Sequence, residues 1–249
     1  MPRLLATDLD GTFVGDDDAT HALWAEIEDA GITLVFSTGR HLSSIEGLYE
    51  QLGTSRRADA CVCMVGTEIW RLGTSGYVRD DSWSRAIADR WDRGAVDTVV
   101  ADVHGTERQP DEWQSEFKSS WFLHDAADRR IVEIHHRLEA QGLDAKVVYS
   151  AGRFLDILPV RSGKGEAVRH LAAGLGIPAG DVVTAGDTGN DLDMMRPELG
   201  FRGIAVGNAA PELARYREPH VYHALAHHAA GIREGLVEYG WLRGDGVGR

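Results

Sequence analysis

The 249-residue chain has only two cysteines, Cys61 and Cys63, so no disulfide framework can hold it together and stability must come from a packed core. They stand two apart in ACVCMVG, on one face of a strand, where neighbours are poorly placed to bridge. They read as small core residues, with a redox pair or metal clip as the alternative. No apolar run approaches the ~20 residues that a membrane-spanning helix needs, and the N-terminus lacks a basic stretch followed by an apolar core and a cleavage site. The expectation is a cytoplasmic protein with no membrane partner. Basic residues are in the minority: 26 Lys and Arg against 39 Asp and Glu give a net charge of −13, and no basic cluster offsets it. Nucleic acid is therefore not an expected partner, and an anion would have to be handled locally, by a metal or a few placed cations. Internal repeats and low-complexity runs are missing too, and the terminal RGDGVGR reads as a frayed tail.

What is present is an alternation of short apolar runs and helical periods. Candidate strands span Arg3–Thr7, Ile32–Phe36, Ala60–Val65, Val182–Ala185 and Gly203–Val206, each apolar on both faces, as in a parallel sheet covered by helices. Helical segments lie between them at Ala19–Ala30, His41–Leu52, Gly163–Leu175 and Gly189–Met195. The fold class is α/β, a doubly wound, mostly parallel Rossmann-like sheet. The middle third breaks that rhythm. It reads as helix Trp83–Asp92, strand Thr98–Val103, a polar stretch, strand Lys118–Leu123, helix Asp128–Ala140, and strands Ala145–Ser150 and Phe154–Leu158. This predicts a smaller α+β domain over residues 80–159, inserted into a core built from residues 1–79 and 160–249.

The chemistry gathers at strand ends. LLATDLDGT carries Asp8 and Asp10 past the first strand, and at ~3.3 Å per residue both carboxylates point the same way, where open α/β sheets hold ligands. Their repulsion, roughly 2.5 kcal/mol at an effective dielectric of 20, calls for an offsetting cation. A hard dication such as Mg²⁺ suits carboxylate and carbonyl oxygens and bridges to phosphate. Gly11 permits a tight turn beside a ligand, and Thr12 offers a hydroxyl. A lone D-x-D can equally end a strand in an Asx turn. Three more segments accompany it: Thr38-Gly39-Arg40 leading into a helix, Lys164 between two glycines at a helix start, and Gly186-Asp187 followed by Asn190 and Asp191. Taken singly, Thr38 could be an N-cap, Lys164 a surface lysine and Asp187 a capping group.

Together, the DxDGT, TGR, lysine and GDxxND segments resemble the haloacid dehalogenase superfamily of phosphotransferases, over residues 8 to 191. The insertion between Arg40 and Lys164 resembles the subclass with an α/β cap after the third core strand. VGTEIW, FKSSWFL, LDILPVRSGKGEAV and HHAAGIREGLVEYG are similar to the sucrose-phosphate phosphatase branch. The resemblance implies that Asp8 attacks phosphorus to form an aspartyl-phosphate, and that Asp10 protonates the leaving oxygen and later activates water. It also implies phosphate binding by Thr38, Gly39 and Lys164. Mg²⁺ would be bound by the Asp8 carboxylate, the Asp10 carbonyl and Asp187, with Asn190 and Asp191 in support. Phe13 stands where many relatives carry leucine.

The implied partner is a small-molecule sugar phosphate, with sucrose-6-phosphate first. Phosphates of mannosylfructose, glucosylglycerate and amino-hexoses are alternatives. Arg40, Thr67 and Glu68 on core loops, with Trp113, Gln114, Glu116 and Lys118 in the insertion, are candidate substrate contacts. Changing Lys118 or Trp113 is expected to alter sugar preference more than stability. Trp83, Trp91, Trp113 and Trp121 also suit plain packing, and His227 and His228 read as structural. Two other classes compete. A phospho-accepting signalling module would have no use for a second carboxylate or an insert of about eighty residues. A phosphosugar mutase would yield an isomeric sugar phosphate instead of free phosphate. Oligomeric state is not legible.

Overall fold

The computed structural model describes residues 2–244, so the end of the RGDGVGR tail, 245–249, lies outside the described residues. The first apolar run forms a central strand, β1 (Arg3–Thr7), whose side chains leave on alternate faces. Leu5 enters one buried cluster, and Leu4 and Ala6 enter another. The chain continues through α1 (Asp17–Asp29), β2 (Ile32–Ser37), α2 (Leu42–Gln51), β3 (Ala60–Cys63), β4 (Glu68–Gly73) and β5 (Gly76–Arg79). Then follow α3 (Asp81–Ile87), α4 (Arg93–Ala101), β6 (Glu107–Arg108), β7 (Ser119–Phe122), α5 (Asp128–Ala140), β8 (Ala145–Ser150) and β9 (Phe154–Pro159). The last part holds α6 (Lys164–Gly174), β10 (Val182–Gly186), β11 (Arg202–Ala205), α7 (Pro211–Ala214), β12 (Val221–His223) and α8 (His228–Glu238).

Among the described residues these strands make two sheets, ordered β12-β11-β10-β1-β2-β3-β4-β5 and β6-β7-β9-β8. In the larger sheet β12 through β3 run parallel, and β4 and β5 close the edge antiparallel. Strand order reverses on either side of β1, and a ligand crevice opens at the carboxyl ends of strands at such a switch point. One face is covered by α1, α2 and α8 through Leu23, Trp24, Ile45, Tyr49 and Leu236. Cys61 and Cys63 are free and buried in that layer, as core residues. The other face is covered by α6 and α3 through Val168, Leu171, Trp83 and Ile87. The smaller sheet has its own core of Val96, Val100, Trp121, Ile134, Leu138, Leu155 and Ile157 beneath α4 and α5.

Two expectations fail. Thr98–Val103 is not a strand but lies largely in α4, which starts where Asp92 accepts the Ala95 N–H. Its valines are β-branched, yet Val96 and Val100 recur at helical spacing and both are buried, so tertiary packing overrides β propensity. The helix expected over Trp83–Asp92 ends at Ile87, before Arg90 takes a left-handed φ of 59°. Trp83 and Ile87 pack against the larger sheet's core, and Trp91 touches both cores.

Candidate active site

The strand ends at Thr7, one residue before the first aspartate, so strict alternation does not govern Asp8 and Asp10. Asp8 stays on the ladder by one bond, its N–H donating to Ala185 O at 3.0 Å, which sets it beside the Gly186-Asp187 turn. The next residues fold back. Thr12, Phe13 and Val14 donate their N–H groups to Leu9 O, and Phe13 anchors the loop against Trp24 and Phe36, ring centroids 5.3 and 5.1 Å away. Asp8 is consequently buried while the Asp10 side chain is 57% exposed and meets the Arg40 guanidinium through both oxygens, Nε to Oδ2 at 2.8 Å and Nη2 to Oδ1. The two carboxylates thus have different surroundings.

Lys164 opens α6 and is fully buried. Its Nζ donates to Asp8 Oδ1 and to Asp191 Oδ1, each at 2.7 Å, and lies 3.4 Å from Asn190 Oδ1. Burial works against the ammonium, but the Asp191 and Asp8 carboxylates outweigh it and hold the lysine's pKa above its ordinary value. Asp8 is pushed up to about 7 by burial, with Lys164 pulling the other way and Asp191 and Asp187 adding repulsion. Asp187, beside it, is raised to about 6 by burial and by Asp191. Three carboxylates share one ammonium here.

Asp8, Asp187 and Asp191 each offer a carboxylate oxygen within 4.8 Å of the others. This hard-oxygen, excess-negative set fits a divalent cation. Their hydrogen bonds rank them. Asp191 uses Oδ1 for Lys164 and Oδ2 for the N–H groups of Asp187 and Thr188, at 3.1 and 3.0 Å. Asp8 and Asp187 are bonded through Oδ1 only, the latter by the Thr12 hydroxyl at 3.1 Å, so they are the better-placed ligands. Gly11 has φ +81°, and a Cβ there would collide with the Asp187 carboxylate. Asn208 Nδ2 donates to Gly11 O at 2.7 Å and His228 Nδ1 lies 2.9 Å from the same oxygen, so both brace the loop. Asn208 was missed in the sequence, although it follows β11 at the same carboxyl-end level as the other motifs.

Thr38 is buried; its Oγ1 accepts the Arg40 N–H at 3.2 Å, and its own N–H is used by Val62 O at 2.8 Å. Gly39 follows it, half-buried. The candidate substrate residues divide. Thr67 is fully buried and its hydroxyl donates to Met64 O, a turn bond, and Glu68 accepts the Trp70 indole N–H at 3.0 Å. Lys118 is buried and bound to Asp156 at 3.2 Å, and Ser120 donates to the same oxygen. Gln114 bridges Gln109 O and Ser120 O. Trp113 is 43% exposed, and Glu116 pairs with Arg79. Lys118 therefore has a buried partner, Asp156, that the sequence did not reveal.

A mostly parallel sheet with acids and a lysine at its carboxyl ends, and a second α/β sheet inserted in the chain, defines a phosphotransferase fold of the haloacid dehalogenase type. Solved haloacid dehalogenase-like structures share it at 16–17% identity, with TM-scores of 0.69 and 0.68. The family model described as sucrose-6F-phosphate phosphohydrolase matches residues 1–240, and the chain belongs to that family. It is 36% identical over 244 residues to a mannosylfructose-phosphate phosphatase of Agrobacterium fabrum, covering 96% of this chain and 97% of that protein. It is 33% identical to a sucrose-phosphatase of Nicotiana tabacum, covering 94% of this chain and 58% of the tobacco protein. The structure of a sucrose-phosphatase from Synechocystis in complex with sucrose and phosphate superposes with a TM-score of 0.87 at 29% identity, covering 96% and 99% of the two chains. Among the described residues, no helix is long and apolar enough to cross a membrane.

Proposed function

We propose that the protein is a Mg²⁺-dependent phosphatase of a disaccharide phosphate, with sucrose-6-phosphate as the first substrate. The observation that carries this reading is the buried Asp8 carboxylate, held 2.7 Å from Lys164 among further acids at the carboxyl end of the central strand. Sucrose and phosphate in the Synechocystis complex support the substrate class. The mannosylfructose-phosphate relative favours a second reading, the phosphate ester of that disaccharide.

In this reading one carboxylate oxygen of Asp8 attacks phosphorus, and the sugar oxygen leaves as its bond to phosphorus breaks. Asp10 gives that oxygen its proton and then takes one from water, which cleaves the aspartyl-phosphate and returns Asp8. Arg40 fixes where the Asp10 carboxyl stands. Lys164 and the Thr38-Gly39 turn neutralise and orient the phosphate oxygens. Asp8 and Asp187 would hold the metal, which supplies positive charge to the transferring phosphoryl group. Asp191 keeps Lys164 in line. A phosphate-release screen with and without Mg²⁺, over sucrose-6-phosphate, mannosylfructose phosphate, glucosylglycerate phosphate and amino-hexose 6-phosphates, tests the proposal. Turnover of a disaccharide phosphate is expected; an isomeric sugar phosphate as product, or one phosphoryl group per chain without turnover, overturns it.

A further inference from the structure

Lys146 on β8 and Asp193 on the 189–194 turn meet where the inserted unit joins the core, Nζ to Oδ1 at 2.9 Å, with side chains 23% and 22% exposed. The other oxygen, Oδ2, accepts the N–H of Gly165 at 2.9 Å. Gly165 follows Lys164 in the first turn of α6. Arg196 holds the same turn, donating to Asp193 O at 3.2 Å and to Glu166 at 2.8 Å. The packing is tight: at Gly163, φ +123°, a Cβ would come within 2.5 Å of both Asp193 Oδ2 and Lys146 Nζ. Lys146 also lies at the root of the insert. It is in register with Leu158 of β9, the strand from which the chain re-enters the core just before Lys164.

One carboxylate thus serves two bodies. We propose that Asp193 is a positioning residue that couples the placement of the inserted unit, through Lys146, to the placement of the active-site lysine. A shift of β8 pulls on Oδ1; Oδ2 carries it to the Gly165 amide and so to Lys164, 2.7 Å from Asp8. Asp193 also shares its short turn with Asn190 and Asp191, both within reach of Lys164. Substrates that the insert must grasp feel this coupling, whereas small ones that it cannot grasp do not. The inference rests on the phosphatase reading above.

The test uses the full chain with two substrates, the best disaccharide phosphate from the screen and p-nitrophenyl phosphate, whose leaving group has no hydroxyls for the insert to read. Lys146→Met is expected to lower kcat for the sugar substrate about tenfold and leave p-nitrophenyl phosphate within about twofold. Lys146→Arg should restore it, and Lys146→Gln replaces the Met variant if that fails to fold. Asp193→Asn should slow both substrates, and adding Lys146→Met to it should cost nothing more. Equal losses on both substrates with Lys146→Met, no loss on either, or multiplicative losses in the double variant overturn the coupling. Failure of the wild-type protein on every sugar phosphate counts instead against the substrate reading; the same variants are then compared on the bulkiest phosphate ester that is turned over.

Discussion

Lys164 Nζ stands 2.7 Å from Asp8 Oδ1, in a site where neither side chain has appreciable contact with solvent. The pair is part of an ensemble with Asp187 and Asp191 that contains more negative charge than one ammonium can balance. Lys164→Met should therefore do two things. Phosphate release falls by about 10²–10³, as when one preorganised donor is removed from a transition-state cradle. Stability falls by about 3–5 kcal/mol, the cost of leaving buried charge without its partner. Thermal denaturation with and without Mg²⁺ checks this, because a divalent cation should recover part of the second loss.

Metal and proton compete at the same oxygens. In the folded, metal-free protein Asp8 keeps its proton up to about pH 7, against an ordinary 3.8. The folded state therefore binds more protons over that interval, and the site's contribution to stability shrinks as pH rises through about 7. A cation must displace that proton, so its apparent affinity weakens as pH falls below about 7. Melting curves across Mg²⁺ concentration at pH 6 and pH 8 should show the larger gain at pH 8, about 2.7 kcal/mol at a hundred times the dissociation constant. Asp187→Asn should lose most of the gain.

Lys118 and Trp113 should separate. Lys118 is buried against Asp156, so Lys118→Met is expected to destabilise the inserted unit by about 3 kcal/mol and to be partly relieved by Asp156→Asn. Trp113 is 43% exposed, and Trp113→Ala should change stability by less than about 1 kcal/mol while shifting relative rates across the sugar panel. Urea denaturation alongside the panel distinguishes the two.

Asp80 caps α3, accepting the N–H groups of Ser82 and Trp83, and pairs with Arg71 at 2.8 Å. Burial alone would raise its pKa, but the Ser82 and Arg71 contacts prevail and bring it down to about 2. A depressed carboxyl stabilises above its ordinary pKa and loses that contribution as pH falls toward 2. Asp80→Ala should cost about 1–2 kcal/mol at pH 7 and almost nothing near pH 2, measured by urea denaturation at both.

The core strands were legible because β1, β2, β3, β10 and β11 are short runs apolar on both faces, a pattern that little else produces. The motifs at their ends were legible for the same reason, since each follows a recognisable strand. The β4–β5 hairpin went unread although EIWRLGTSGYVR alternates around the short Thr74-Ser75 turn, because its residues are only partly buried and their contrast is weak. In α4 the valines argued for a strand, and only packing against Trp121 and Leu155 decided otherwise. Pairings such as Lys118 with Asp156, or Lys146 with Asp193, span 38 and 47 residues and have no local signature. Asp191 was read as metal support; its hydrogen bonds tie it first to Lys164 and the 187–188 backbone.

The most direct test of the central claim is phosphate release by Asp8→Asn, with its folding followed in parallel. The substitution keeps the side chain's shape, leaves Lys164 paired with Asp191, and removes the charged oxygen that attacks phosphorus. A folded protein with Mg²⁺-dependent turnover reduced by at least about 10³ is the expected result. A folded Asp8→Asn protein releasing phosphate at the wild-type rate would contradict it.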